Sequence, residues 1–151
     1  MAKTDSTAAA IPPGMVRCVV VTPESTVLDT VAKQVSLPLF DGQAGVAPGH
    51  SPLIGRLGAG AVRISGESGG SSTDGGRRLF VEGGFVEVNH DVITVITQRA
   101  MPVETIDSQA ARADLERVGA ERAVGDEAIA DKDRRLIAGR ALLRAAQTAR
   151  R

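Results

Sequence analysis

The sequence predicts an all-β sandwich of about eight to ten short strands followed by a C-terminal antiparallel α-helical hairpin. Three observations carry that expectation. Short runs rich in Val, Ile and Leu recur between glycine, proline and asparagine turn signals over residues 15–100. A stiff stretch crowded with glycine and proline interrupts them at residues 42–53. From Ile106 onward glycine thins out and Ala, Arg, Asp and Glu dominate, which is helix chemistry.

Taken in order, residues 1–14 are small, polar and proline-terminated (Ile11-Pro12-Pro13-Gly14), and read as a disordered leader. The sandwich domain then spans residues 15–100 and the hairpin residues 104–151. The first strand covers residues 15–21 and closes at Thr22-Pro23-Glu24; strands at 25–28 and 31–40 follow. In the latter, Val35, Leu37 and Leu39 alternate with Gln34, Ser36 and Pro38, the period of a half-buried strand. Pro38 points to an edge or strand-end position. Within the stiff stretch, Gly42 and Gly45 suit the positive φ of a tight corner, and Pro48-Gly49 has the residue types of a type II turn. Residues 54–60 are punctuated by glycine and 61–65 read as a strand. Residues 66–76 are a glycine- and serine-rich hairpin loop, without the lysine of a phosphate-binding P-loop. Strands at 79–82, 85–89 and 92–97 complete the β portion, with a bulge or bend at Gly83-Gly84 and a turn at Asn89-His90-Asp91.

Composition excludes several functions. The only aromatic residues are Phe40, Phe80 and Phe85, too few for a base-stacking nucleic-acid platform, so the core falls to Val, Ile, Leu and Ala. Net charge is zero, and no apolar run approaches the roughly twenty residues of a membrane span. Cys18 sits alone in an apolar run and reads as a buried reduced thiol. His50 and His90 are the only histidines, no cluster has metal-ligand spacing, and Ser51 lacks a nucleophile-elbow context. No catalytic residue is expected.

Two motifs give a family resemblance. Gly45-Val46-Ala47-Pro48-Gly49-His50-Ser51-Pro52-Leu53 resembles the G-x-P-G-H-x-P-L loop of the epsilon subunit of F-type rotary ATP synthases. Val81-Glu82-Gly83-Gly84-Phe85-Val86-Glu87-Val88, followed by Val92-Ile93-Thr94-Val95-Ile96, is similar to that family's G-G-F-x-E-V…V-T-V-L segment. The resemblance runs from about Met15 to the end of the chain. It implies a non-catalytic central-stalk subunit that couples the gamma shaft to the membrane ring, peripheral at the cytoplasmic face of a bacterial membrane, without direct membrane insertion and without nucleic acid. It also implies that Gly45, Val46, Pro48, Gly49, His50, Pro52 and Leu53 face the ring, and that one side of the sandwich packs on the gamma shaft. The alternative from another class is a free-standing β-sandwich ligand-binding module with a helical dimerisation hairpin, which an exposed aromatic face would favour.

In the hairpin, Asp107 or Ser108 can cap a helix running to about Ala123, with Ala111, Leu115 and Val118 on one stripe. Val124-Gly125-Asp126 breaks it, Asp126 can cap the next, and a second helix spans residues 127–149, with Ile129, Leu136 and Leu143 spaced by sevens and Ile137 and Ala141 beside them. So few sizeable apolar side chains imply loose docking. The second helix is basic, and by the resemblance Arg134, Arg135, Arg140 and Arg144 reach acidic segments of the alpha and beta catalytic subunits when it extends, inhibiting ATP hydrolysis. Some epsilon subunits bind ATP through an I/L-D-x-x-R-A motif. Ile106, Asp107 and Ala111 match it, but Ala110 replaces the arginine, and Arg112 is turned about 200° from that position. ATP is therefore the weaker expectation and no cofactor is the stronger.

Overall fold

The computed structural model describes residues 10–69 and 76–149. Residues 1–9 of the expected leader and most of the expected 66–76 loop lie outside the described residues. Eight strands, β1 (Val16–Val21), β2 (Thr26–Ala32), β3 (Gln34–Leu39), β4 (Gly42–Val46), β5 (Leu53–Ser65), β6 (Arg77–Asn89), β7 (Val92–Ile96) and β8 (Ala100–Pro102), precede a 3-10 turn at Val103–Thr105 and helices α1 (Ser108–Ala120) and α2 (Asp126–Ala149).

The strands form one mixed sheet in the order β2-β1-β7-β6-β5-β3-β4, with β8 paired to β6. The β1–β7 pair is parallel and the others are antiparallel. β2 ends the path at one side, yet a single residue, Lys33, joins it to β3 near the other, so the sheet curls back on itself. The Lys33 N–H fixes that return, lying 3.0 Å from the Ser65 carbonyl and 3.2 Å from that of Gly66. Inside lies one aliphatic core, drawn from β1 (Val16, Cys18, Val20), β3 (Val35, Leu37), β5 (Leu57, Val62, Ile64), β6 (Leu79, Val81, Val86, Val88) and β7 (Ile93, Val95). Burial pushes the Cys18 thiol up to about 12, so it packs there as a neutral, small apolar group.

Several sequence readings change. The stretch 31–40 is two strands, because the chain turns at Lys33. Residues 42–46 are not loop but the edge strand β4, paired along β3, so the true loop is 47–52. Gly42 takes positive φ but Gly45 does not. Pro38 takes the strand-end rather than the edge position, one residue from the end of β3 between β4 and β5; the register shift against β5 between Ser36 and Leu39 accommodates its missing N–H. The segments 54–60 and 61–65 are one long strand, as are 79–82 and 85–89. Ala100-Met101-Pro102, at the end of the expected sandwich domain, forms the short strand β8.

The bend expected at Gly83-Gly84 is present, with φ of 72° and 107°. At Gly84 a Cβ would lie 2.0 Å from the carbonyl oxygen of Ile96, so the backbone approach there admits only glycine. The bend resets the alternation along β6. Before it Leu79 and Val81 point into the sandwich and Phe80 points out; after it Val86 and Val88 point in and Phe85 points out.

Phe80 is the knob on which the hairpin sits. It is 1 % exposed and clusters with Val103, Ala141 and Ala145, with Met101, Ile106 and Leu142 packed alongside. The docked face of α2 is therefore Ala141, as expected, with Ala145 and Leu142, while Leu136 and Leu143 of the expected stripe are half-buried. Ile129 and Ile137 stand 47 % and 59 % exposed, whereas against the ring of Phe80 the small side chains of Ala141 and Ala145 let the helix approach. α1 ends at Ala120, short of Ala123, and Gly125 rather than Asp126 precedes α2, its carbonyl accepting from the Ile129 N–H at 3.0 Å.

Gly84→Ala is expected to destabilise the fold by more than about 2 kcal/mol, from backbone strain and a carbonyl clash together. Thermal unfolding checks this; a midpoint unchanged from wild type would contradict the close approach.

Candidate functional site

Three features bear on function, and the first and third carry the residues singled out from sequence. The first is the loop 47–52 at one end of the sandwich. Ala47, Pro48, Gly49 and His50 form the expected type II turn, with Gly49 at φ 78° and the His50 N–H 3.1 Å from the Ala47 carbonyl. The Gly49 N–H donates to the Asp91 carboxylate at 2.7 Å. Asp91 belongs to the β6–β7 turn, where His90 and Asp91 both take positive φ, and its carbonyl accepts from the Arg17 N–H at 2.8 Å. The loop is thus pinned to the β6–β7 turn, which is itself tied to β1. His50 is exposed; its Nδ1–H donates to the Ser51 carbonyl at 2.6 Å, which leaves Nε2 facing outward. Pro48, Gly49 and Pro52 are exposed beside it, whereas Val46 is buried and Leu53 packs against the core, anchoring the loop at both ends. Gly45 sits on exposed edge strand β4.

The second feature was not read from sequence. Phe40, Ile54, Phe85 and Ile96 are 69 %, 81 %, 60 % and 57 % exposed. Register makes them neighbours: Phe85 pairs with Arg56 on one side and Ile96 on the other, and Ile54 pairs with Glu87. The Phe40 N–H donates to the Arg56 carbonyl at 2.9 Å, and the Arg56 guanidinium lies 4.6 Å from the centre of the Phe40 ring. An apolar strip thus crosses β5, β6 and β7 on the outer face, away from the hairpin. Two of the three phenylalanines lie on it. The signal that could have found them is alternation: once Val86 and Val88 are assigned inward, Phe85 and Glu87 must face out.

The third feature is the hairpin. Arg135 pairs with Glu121, the residue that follows α1, and, at 3.1 Å, with Asp131 of its own helix; Arg134 reaches Asp131 at 3.4 Å. Arg117 of α1 pairs with Asp114 and Glu121. Lys132 Nζ donates to the carbonyls of Gly119 and Glu121 at 2.9 and 2.6 Å, capping the C-terminus of α1. The Arg135 guanidinium, bonded to Glu121, holds that carboxyl below the usual glutamate range. Arg140 and Arg144 are exposed and form no ion pair among the described residues. At the start of α1, the Asp107 carboxylate caps the helix, accepting from the N–H groups of Gln109 and Ala110 at 2.9 and 3.2 Å. Ile106 packs beside Phe80, Ala111 is buried and Arg112 is exposed, so the four do not converge on one cleft. Neither described helix is long and apolar enough to cross a membrane.

Comparison with known proteins gives the family. The family model described as ATP synthase, delta/epsilon chain, β-sandwich domain matches residues 15–103. The ATP synthase epsilon chain of Rhodopirellula baltica is 49% identical over 96 residues, covering 64% of this chain and 70% of that one. The epsilon chain of Synechococcus sp. strain WH7803 is 35% identical over 115 residues, covering 75% and 80%. In fold, a chain of the Euglena gracilis mitochondrial ATP synthase matches with a TM-score of 0.75 at 20% identity, over 100% of this chain and 91% of that one. A chain of the Tetrahymena thermophila mitochondrial ATP synthase matches with a TM-score of 0.63 at 15% identity, over 87% and 96%. The chain belongs to the delta/epsilon chain family of ATP synthases, and so to a rotary assembly in which it is a subunit rather than an enzyme in its own right.

Proposed function

We propose that the chain is the epsilon subunit of the central stalk in a proton-translocating ATP synthase, a non-catalytic body that couples the gamma shaft to the membrane ring. The observation that carries the reading is the uncovered strip of Phe40, Ile54, Phe85 and Ile96. The hairpin already covers the other apolar outer face, so this strip is the one left for a partner to bury. We assign it to the gamma shaft, with Arg56 and Glu87 beside it as polar margin. The loop end, with Pro48, Gly49, His50 and Pro52 exposed, faces the ring; its tie to Asp91 supplies the stiffness needed to transmit torque. The subunit is then peripheral, at the cytoplasmic face of a bacterial membrane.

The hairpin is the regulatory part. Its arginines meet acidic segments of the alpha and beta subunits when it extends; Arg140 and Arg144 are available at once. Arg135 becomes available only after its bonds to Glu121 are given up, so the ion pairs near the hairpin bend act as a latch. The Asp107 carboxylate is already used as a helix cap, and Ala110 supplies no charge, which keeps a nucleotide at Ile106, Asp107, Ala111 and Arg112 the weaker reading. The ligand-binding module gains Phe40 and Phe85 as exposed rings, but family membership favours the stalk.

Affinity capture of the tagged chain from its own solubilised membranes tests the assignment. Gamma, ring and catalytic subunits are expected, and Ile54→Arg, which puts an unpaired charge into the strip, is expected to cut recovery about tenfold or more. No ATP synthase subunit with the wild-type chain, or full recovery with Ile54→Arg, would contradict it. Deleting residues 127–151 is expected to raise ATP hydrolysis by the assembled complex; an unchanged rate would remove the inhibitory role.

The latch has a signed pH dependence. Because the folded state lowers the Glu121 pKa, its contribution is complete above the ordinary glutamate pKa and is lost as pH falls through the lowered value. Amide exchange at residues 118–135, corrected for the intrinsic pH dependence, should therefore be faster in acid and, at neutral pH, faster in Glu121→Gln. Equal protection in wild type and variant at neutral pH would show that the pair does not hold the hairpin.

A further inference from the structure

Glu87 is exposed on the outer face of β6, and cross-strand register fixes its neighbours. Ile54 lies directly opposite on β5 and Thr94 directly opposite on β7, while Phe85 precedes it by two residues on the same face. Ile96, the register partner of Phe85, closes the diagonal. The carboxylate is therefore bordered by the apolar strip through Ile54, Phe85 and Ile96. Beyond Thr94 and Ile96 the two rows continue to Val19 and Val21 of β1, both half-buried. Two arginines share this face, and both are held elsewhere. Arg17 donates to the Asp29 carboxylate through two nitrogens, at 2.8 and 2.6 Å. Arg56 is diagonal to Glu87, but its guanidinium lies 4.6 Å from the centre of the Phe40 ring. Phe40 follows β3 and bonds to the Arg56 carbonyl from the β3 side of β5, so the stacking draws Arg56 away from β6. Among the described residues Glu87 forms no ion pair.

In the free chain water solvates this carboxylate. A partner that closes the strip removes that water, and a buried carboxylate without a counter-charge opposes binding strongly. We propose that the partner face covering the strip carries a lysine or arginine that pairs with Glu87, and that this ion pair fixes the register in which the apolar surfaces meet. The proposal rests on the reading of the strip as the contact with the gamma shaft. It adds the chemistry of that contact: an apolar ridge interrupted by one cation. Apolar surfaces can meet in several alignments, whereas a desolvated charge finds its counter-charge in one. Transmission of torque through the contact requires that single alignment. Arg56, at the margin and stacked on Phe40, stays hydrated and acts on the encounter by long-range attraction.

The test measures binding of the purified full chain to the complex of alpha, beta and gamma subunits from the same organism, prepared without this chain, with association and dissociation rates resolved. Glu87→Gln is expected to speed dissociation and weaken binding about tenfold or more, and Glu87→Lys about a hundredfold or more. Arg56→Gln is expected to change chiefly the association rate and its salt dependence. Glu87 is exposed and forms no ion pair among the described residues, so its variants should keep the wild-type unfolding midpoint. Reversing the basic residues of gamma one at a time should yield a variant that restores binding to Glu87→Lys and weakens binding to the wild-type chain. Ile54→Arg is the control for the strip itself. If Ile54→Arg loses binding while both Glu87 variants bind as wild type does, the strip reading stands and the ion pair is overturned. Rescue of Glu87→Lys by Arg56→Glu within the chain, or by no reversal in gamma, also overturns it. Absence of binding by the wild-type chain, or full binding by Ile54→Arg, overturns the strip reading and this proposal with it.

Discussion

The structure depends on the pairing of β5 with β6 and on the bend that Gly83-Gly84 puts into it. These two long strands run the full length of the sandwich, and each half of the ribbon has its own outer face. Gly84 lets the backbone come so close to the Ile96 carbonyl that no other residue fits. By resetting the alternation there, the bend sends Phe80 outward on one side and Phe85 outward on the other, while Val81 and Val86 both stay in the core. One ribbon thus feeds the aliphatic core and offers two separate apolar faces.

Those faces are unequal. Phe80 is covered by the chain's own helix, through alanines that permit close approach but bury little area each. The dock is therefore modest in hydrophobic terms and is supplemented by polar ties: Arg78 to the end of α2, and Arg135 and Lys132 between the helices near the bend. Most of these contacts are exposed and weaken with salt, in keeping with the proposed release of the hairpin. The face around Phe85 has no such cover. An open apolar strip on one side and a lightly held hairpin on the other are what the proposed stalk role, gripped on one side and regulated on the other, would require.

What could be read from sequence was local. Pro48-Gly49 specifies its own turn through the two residues' φ preferences, and Asp107 announces a helix start because its side chain competes for the first free N–H groups. Glycine pairs mark a bend wherever they fall. Long-range facts were silent: nothing near Gly49 says that Asp91 will hold it, and nothing near Gly42 says that residues 42–46 will pair as an edge strand. The α2 stripe was misread in part, for a physical reason. Of the residues read as its docking face Ala141 is buried and Leu136 and Leu143 half-buried, but the receiving surface carries Phe80, so the closest contact is made by alanines and Ile129 and Ile137 stay exposed. The exposed strip was hidden because aromatic scarcity was counted over the whole chain, while the two exposed rings are concentrated at one place.

The central claim is that the sandwich has one apolar outer face closed by its hairpin and another closed only by a partner. Its three phenylalanines are built-in probes of that division. Hydroxyl-radical footprinting of the isolated chain and of the chain within its native assembly, read by mass spectrometry, tests it most directly. The account predicts that Phe80 is protected in both states, and that Phe40 and Phe85 are labelled in the isolated chain and protected in the assembly. Equal labelling of Phe85 in the two states would contradict it.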